Sequence, residues 1–159
     1  MHITIAAVGK VREPYLKEGI ELYRSRIALC HKILLIDLQE ERIPEHCSPR
    51  ERSRIVDAEW TRFLSSVTRS GIIIALDPNG ENLSSEALAS RMKQYELEGK
   101  GSITFLIGGP LGLPADVLKK ANWVLSLSRM TFPHQLVRLI LLEQIYRADC
   151  INRNIPYHK

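Results

Sequence analysis

Ile103-Thr104-Phe105-Leu106-Ile107-Gly108-Gly109-Pro110-Leu111-Gly112 is the stretch that decides the fold of this chain. Ile103, Phe105 and Ile107 fall on one face of an extended segment and Leu106 on the other, so both faces are apolar before the glycines end the run. A strand buried on both faces belongs inside a parallel sheet that is covered by helices. The rest of the chain repeats that grammar. Upstream, Ile3 to Val8, Ile33 to Leu38 and Gly71 to Leu76 read as strands, and Trp123 to Leu127 follows downstream. Helical patterns lie between them, over Pro14 to Leu29, Ser48 to about Thr68, Ser84 to Glu98, Asp116 to Lys120 and Pro133 to about Asp149. Ser48-Pro49-Arg50-Glu51 has the form of a capping box with proline in the first helical position. The expectation is an α/β fold, a parallel sheet covered by helices on both faces, formed by one domain over residues 1–159.

With 159 residues, 45% of them hydrophobic, the chain suffices for one real core and is short for two. No run approaches the roughly 18 apolar residues of a membrane span, and the start lacks a secretory pattern. Three cysteines, Cys30, Cys47 and Cys150, are odd in number and unpatterned, which favours reduced thiols and a cytoplasmic, membrane-free protein. The net charge of +4 permits a polyanionic partner without requiring one. Its distribution is more telling, because seven basic side chains between Lys119 and Lys159 face only Glu143 and Asp149. In the last helix Leu136, Val137, Leu139, Ile140, Leu141, Leu142, Ile145 and Tyr146 spread around most of the circumference. One core-facing stripe needs less than that, so a second buried surface, a homodimer interface, is expected.

Ligands of open α/β sheets bind beyond the carboxyl ends of the strands, which directs attention to the loops after the third, fourth and fifth. Asp77-Pro78-Asn79-Gly80 is read as a turn. Gly108-Gly109-Pro110-Leu111-Gly112 has neither the dinucleotide-binding spacing nor a Walker lysine, but its glycines allow a flat ligand to approach the main chain. Leu125 to His134 carries a strand into a hydroxyl-rich loop and then to Pro133 at a helix start. Exposed amides in such a place can hold an adenine edge or an anion. A hydrolase with Ser126 or Ser128 as nucleophile and His134 as base lacks the nucleophile elbow and is disfavoured. His134 on its own reads first as a capping or packing residue. Cys30-His31 and His46-Cys47 lack zinc-ligand spacing, so no metal is expected. Arg50, Arg52 and Arg54 read as a solvated helix face.

Taken together, Ala7-Val8-Gly9-Lys10, Leu76-Asp77 with Gly80 and Ser84-Ser85-Glu86, Ile107-Gly108-Gly109-Pro110-x-Gly112, Leu127-Ser128-x-x-Thr131-Phe132-Pro133-His134-Gln135 and the terminal Pro156-Tyr157-His158-Lys159 resemble one family. It is the ribosomal large-subunit methyltransferase H family, single-domain enzymes of the SPOUT class, and order, spacing and chain length carry the match. The resemblance implies a C-terminal segment threaded into a trefoil knot, against the general rule for chain connections. It implies S-adenosylmethionine bound by Leu76, Gly108, Leu127, Ser128, Arg129, Met130, Thr131 and Phe132, and a homodimer paired through the last helix. The implied substrate is N3 of a pseudouridine in the helix 69 loop of 23S rRNA, within the ribosome. That imide nitrogen is protonated near neutrality, so the site must remove or delocalise its proton while aligning it with the methyl donor. His134, Arg138, Tyr157 and His158 are the candidate catalytic residues. Glu81 departs from the basic residue expected there and weakens a role for that turn in RNA contact. A non-catalytic ribosome-assembly factor and a tRNA-modifying SPOUT enzyme are the competing readings; the first predicts no cofactor affinity and the second lacks room for an added RNA-binding domain.

Overall fold

The computed structural model describes residues 1–66 and 71–157, without the side chains of 62–66; Thr68, His158 and Lys159 therefore lie outside the described residues. The elements are β1 (His2–Val8), α1 (Pro14–Ala28), β2 (Lys32–Leu38), α2 (Pro49–Ser66), β3 (Ile72–Asn82), α3 (Ser85–Leu97), β4 (Ser102–Ile107), α4 (Ala115–Lys120), β5 (Trp123–Ser126) and α5 (His134–Asn152). The strands form one sheet in the order β2-β1-β4-β3-β5, and every pairing is parallel.

Side chains that alternate along the strands feed two separate cores. Ile3, Ile5, Ile103 and Phe105 pack on one face against Ile27 of α1, Met92 of α3 and Leu141 and Ile145 of α5. Ala6, Val8, Ala75 and Leu106 face the other way, against Val56 and Trp60 of α2 and Val117 of α4. Full burial of one such large apolar side chain is worth about 1.5–3 kcal/mol, so the sheet with its two helical layers carries most of the stability. Capping contributes at the margins. Ser48 and Glu51 make the reciprocal box the sequence implies, with Ser48 N donating to Glu51 Oε2 at 2.8 Å and Glu51 N donating to Ser48 Oγ at 3.3 Å.

β3 runs past its expected end at Leu76. Leu76 and Glu81 both stand opposite Leu125, so residues 77–80 form an excursion within a strand that resumes its pairing. The expected turn sits inside this excursion, where Asn79 N donates to Asp77 Oδ1 at 2.8 Å. Gly80 is required there, because a Cβ would lie 2.7 Å from the carbonyl oxygen of Val124. The return leg also accounts for Glu81. Its carboxylate accepts the Trp123 indole N–H at 2.8 Å and lies 3.6 Å from Arg91, whose guanidinium covers the Trp123 ring at 4.5 Å. Glu81 thus locks β3 to β5 and α3.

The apolar circumference of α5 is largely consumed within the chain. Leu141, Leu142, Ile145 and Ala148 are buried in the first core, and Leu139 presses on Gly19 of α1. Leu136 and Ile140, one turn apart and half-buried, belong to neither core. The surface left for a partner is this narrower stripe.

Arg138 fixes α5 to the sheet. Its side chain is 7% exposed; one nitrogen donates to Asp37 Oδ1 at 2.6 Å, and the other to the carbonyls of Val8 at 2.7 Å and Gly9 at 2.5 Å. Three acceptors at the ends of β1 and β2 thus converge on one guanidinium. Removing it leaves two buried carbonyls without that donor, so Arg138→Met should lower the urea-unfolding free energy by about 2–4 kcal/mol. A loss under about 0.5 kcal/mol would show that the contact does not hold α5 in place.

Candidate active site

Three loops leave adjacent strands at one edge of the sheet and wall a cavity of about 360 Å³. Leu76, Asp77 and Pro78 come from the end of β3 and its excursion, Gly108, Gly109, Pro110 and Gly112 from the loop after β4, and residues 125–134 other than Arg129 from the end of β5 and the segment beyond it. Val137 of α5 completes the wall. The site thus lies at the carboxyl ends of the strands, where a doubly covered parallel sheet leaves space for a ligand. Its volume is in the range of small-molecule sites.

Backbone crowding shapes this cavity. A Cβ at Gly108 would collide with the carbonyl carbon and oxygen of Gly112 and stand 2.9 Å from its Cα. Gly112 has φ +81°, and Gly112 N donates to Gly109 O at 2.9 Å. The loop therefore folds tightly back on itself. Glycine at 108 serves the loop's own closure, a reason the sequence alone did not reveal.

The loop after β5 is braced by its serines. Ser126, 2% exposed, donates its hydroxyl to Ser128 O at 2.9 Å, and Ser128 Oγ accepts Met130 N at 3.0 Å. These hydroxyls brace an ST-type loop. Leu76, Gly108, Leu127, Ser128, Met130, Thr131 and Phe132 all line the cavity. Arg129 is exposed and is not among the residues that line it.

His134 begins α5 and lines the same cavity. Burial, then the positive charge of Arg138, pushes its imidazole below the ordinary histidine pKa against the opposing pull of Glu40. A neutral imidazole with a free lone pair results near neutral pH. Arg138, by contrast, spends its guanidinium on Asp37, Val8 and Gly9, which makes it the support of His134's helix within this chain.

Tyr157 lies elsewhere in the protomer. Its hydroxyl donates to Glu143 Oε1 at 3.1 Å and stands 3.1 Å from the Tyr23 hydroxyl, while its ring meets Tyr146 edge-on at 4.9 Å. Burial raises its phenol pKa, and both hydrogen bonds act in the same direction. Glu143 follows His134 by nine residues, about 13 Å along the helix axis. Tyr157 is therefore not part of its own chain's cavity wall, and His158 is outside the described residues.

The basic excess of the C-terminal quarter is also partly committed. Arg138, Arg147 and Arg153 pair with Asp37, Glu143 and Asp149 at 2.6, 2.6 and 2.8 Å. Among the described residues no three histidine, cysteine or acidic side chains converge as metal ligands. Cys30-His31 immediately precede β2, whereas His46-Cys47 lie beyond it, just before α2. Asp77, Gly109 and Val137 line the cavity without having been named as cofactor-binding; the sequence marked Asp77 by its strand end and Gly109 by its glycine pair, whereas Val137 carried no readable signal.

Comparison with known proteins agrees with this architecture. The sequence profile described as "Predicted SPOUT methyltransferase" matches residues 1–158. Proteins named ribosomal RNA large subunit methyltransferase H, from Carboxydothermus hydrogenoformans and Clostridioides difficile, are 50% and 47% identical, each over the whole of both chains. Among solved structures, a probable methylase family protein from Haemophilus influenzae superposes with a TM-score of 0.54 at 12% identity, covering 99% of this chain and 70% of that one. A probable methyltransferase from Bordetella pertussis gives 0.53 at 10%, covering 92% and 95%. The two superpositions speak for the fold alone. A full-length profile match, together with relatives near half identity over their whole length, places the chain in the SPOUT methyltransferase family.

Proposed function

We propose that this protein methylates N3 of a pseudouridine in the helix 69 loop of 23S rRNA within the ribosome, using S-adenosylmethionine, as a cytoplasmic homodimer. Membership of the SPOUT family and relatives named for large-subunit rRNA methylation support a ribosomal RNA methyltransferase. The observation that carries the reading furthest is the cavity walled by three loops at adjacent strand ends, with backbone in place of side chains at Gly108 and Gly112. Apolar walls from Leu76, Ile107, Leu125 and Val137 suit the adenine ring and a methylsulfonium, and the amides of the braced 127–132 loop suit its polar edge. The residues present fit the cofactor. When bound it supplies an electrophilic methyl group; the chain supplies position and a destination for the proton. Neutral His134, on the cavity wall, is the acceptor we assign to the N3 proton. Family membership is what supports the knotted threading of the C-terminal segment.

Tyr157 meets α5 roughly midway along its length, which fits a tail that serves the partner's cavity when two α5 helices pair. Single-turnover methylation of ribosomes, with the modified nucleotide located by mass spectrometry, tests the reading. The methyl should appear on N3 of a pseudouridine. Deleting residues 157–159 should leave folding and dimerisation intact and slow the reaction at least about a hundredfold, roughly 2.7 kcal/mol of transition-state stabilisation. A methyl on another position refutes the substrate, and a rate within a few-fold of the parent refutes the tail's role.

Calorimetry should show S-adenosylmethionine binding to the protein alone, and Gly108→Val should abolish it by forcing the loop off Gly112. Undiminished affinity in a folded Gly108→Val variant would mean that the ligand lies elsewhere.

Light scattering should give twice the 18.1 kDa chain mass. Because Leu136 and Ile140 lie outside both cores, Ile140→Glu should yield a folded monomer, whereas Leu142→Glu, buried at 0% exposure, should unfold the chain. A dimer that survives Ile140→Glu and Leu136→Glu would move the interface off α5.

A further inference from the structure

Gly9 follows β1 with φ +79°, and what surrounds it is chemically specific. A Cβ at Gly9 would stand 3.1 Å from Glu40 Oε2 and 3.6 Å from His134 Nε2, so a carboxylate and an imidazole both border the same small space. A side chain would fill that space, and the left-handed backbone disfavours one. Gly9 is itself held, since its carbonyl accepts from Arg138 at 2.5 Å and its N–H donates to Leu38 O at 2.8 Å.

Glu40 is placed by an independent contact. The next residue, Glu41, donates its backbone N–H at 3.1 Å to Glu59 Oε1, a carboxyl on α2 that is 7% exposed. Burial raises the Glu59 pKa, and the charges of Glu40 and Glu41 act in the same direction. The loop after β2 is thereby tied down to α2 next to the residue that faces His134.

We propose that Glu40 is a positioning residue of the methyl-transfer site, whose carboxylate across Gly9 stabilises the protonated form of His134 as His134 takes a proton from the substrate. The inference rests on the reading that the methylated atom is an N–H nitrogen whose proton goes to His134. In that step the N–H bond breaks, its electron pair stays on the substrate nitrogen, and the proton forms a bond to Nε2. The imidazolium then releases the proton to water.

The charged groups around His134 make the direction of the effect clear. Arg138, one turn along α5, opposes protonation; its charge is partly balanced by Asp37 of β2. Glu40 favours protonation, and Asp77 is the carboxylate that lines the cavity, from the β3 side. Without Glu40 the imidazole is left with burial and Arg138, both of which weaken it as a base. A weaker base reaches its deprotonated form at lower pH but accepts a proton less readily in the transition state.

NMR titration of His134 in the parent protein and in Glu40→Gln tests the coupling without substrate or cofactor. Glu40 is exposed, so the substitution should leave the fold intact. Its removal should lower the His134 pKa by about 0.3–1 unit, and Glu40→Asp should restore most of the shift. In single-turnover methylation the acid limb of the pH profile should move down with it while the plateau rate falls roughly threefold to tenfold. A His134 pKa unchanged in Glu40→Gln overturns the proposal, whatever the activity. So does a shifted pKa with an unaltered pH profile and plateau, because Glu40 then has no part in the reaction. Should the methyl be found on a carbon or a hydroxyl oxygen, the substrate reading fails separately, with the Glu40–His134 coupling still measured by titration.

Discussion

The buried guanidinium of Arg138 is the contact on which the working end of the molecule depends. Its acceptors, Asp37 and the carbonyls of Val8 and Gly9, belong to two neighbouring strand ends, and the arginine itself belongs to the last helix. A buried guanidinium is stable when its hydrogen bonds are made and costly when they are not, so this arrangement fixes α5 against β1 and β2. His134 is one turn earlier on α5 and is carried into the cavity by that geometry. The same positive charge helps keep His134 neutral, which links the architecture of the helix anchor to the acid–base chemistry at its tip.

Steric limits on the backbone do the remaining construction. Gly80 lies against β5, Gly108 against Gly112, and Gly9 between Glu40 and His134. At Gly80 and Gly108 the neighbouring backbone leaves no room for a Cβ, and at Gly9 the positive φ disfavours one. The result is a cavity bounded as much by main chain as by side chains, a suitable surface for a flat heterocycle and for hydrogen bonds from amides. The sheet order brings β4, β3 and β5 side by side, so the three glycine- and serine-rich loops converge without any long connection.

Two substitutable-looking features acquire reasons from this packing. Glu81 is the acceptor for Trp123 and a partner of Arg91, so its charge is used within the protein. Part of the C-terminal basic excess likewise closes on Asp37, Glu143 and Asp149. Net charge counted along the chain therefore overstates what that quarter presents to a polyanion.

The local signals in the sequence determined the strand and helix inventory, because burial on both faces of a strand and amphipathic periodicity are written in residue order. They also determined the caps at Ser48 and Ser84 and the location of the cavity, since ligand sites follow from strand ends. The resemblance of the motifs to a known family identified the cavity-lining residues of the 127–132 loop, apart from Arg129. Tertiary structure alone decided the rest. That β3 resumes beyond Asn79 depends on pairing with β5 forty-odd residues away, and that α5 spends most of its apolar girth inside the chain depends on α1 and α3 closing over it. Arg138, a candidate catalytic residue by family resemblance, anchors α5 in the structure, while Glu40, unremarked among polar loop residues, comes near His134 beside Gly9. Such pairings join residues some thirty to 130 positions apart, beyond the reach of any periodicity, because they arise only when the sheet sets its strand ends side by side.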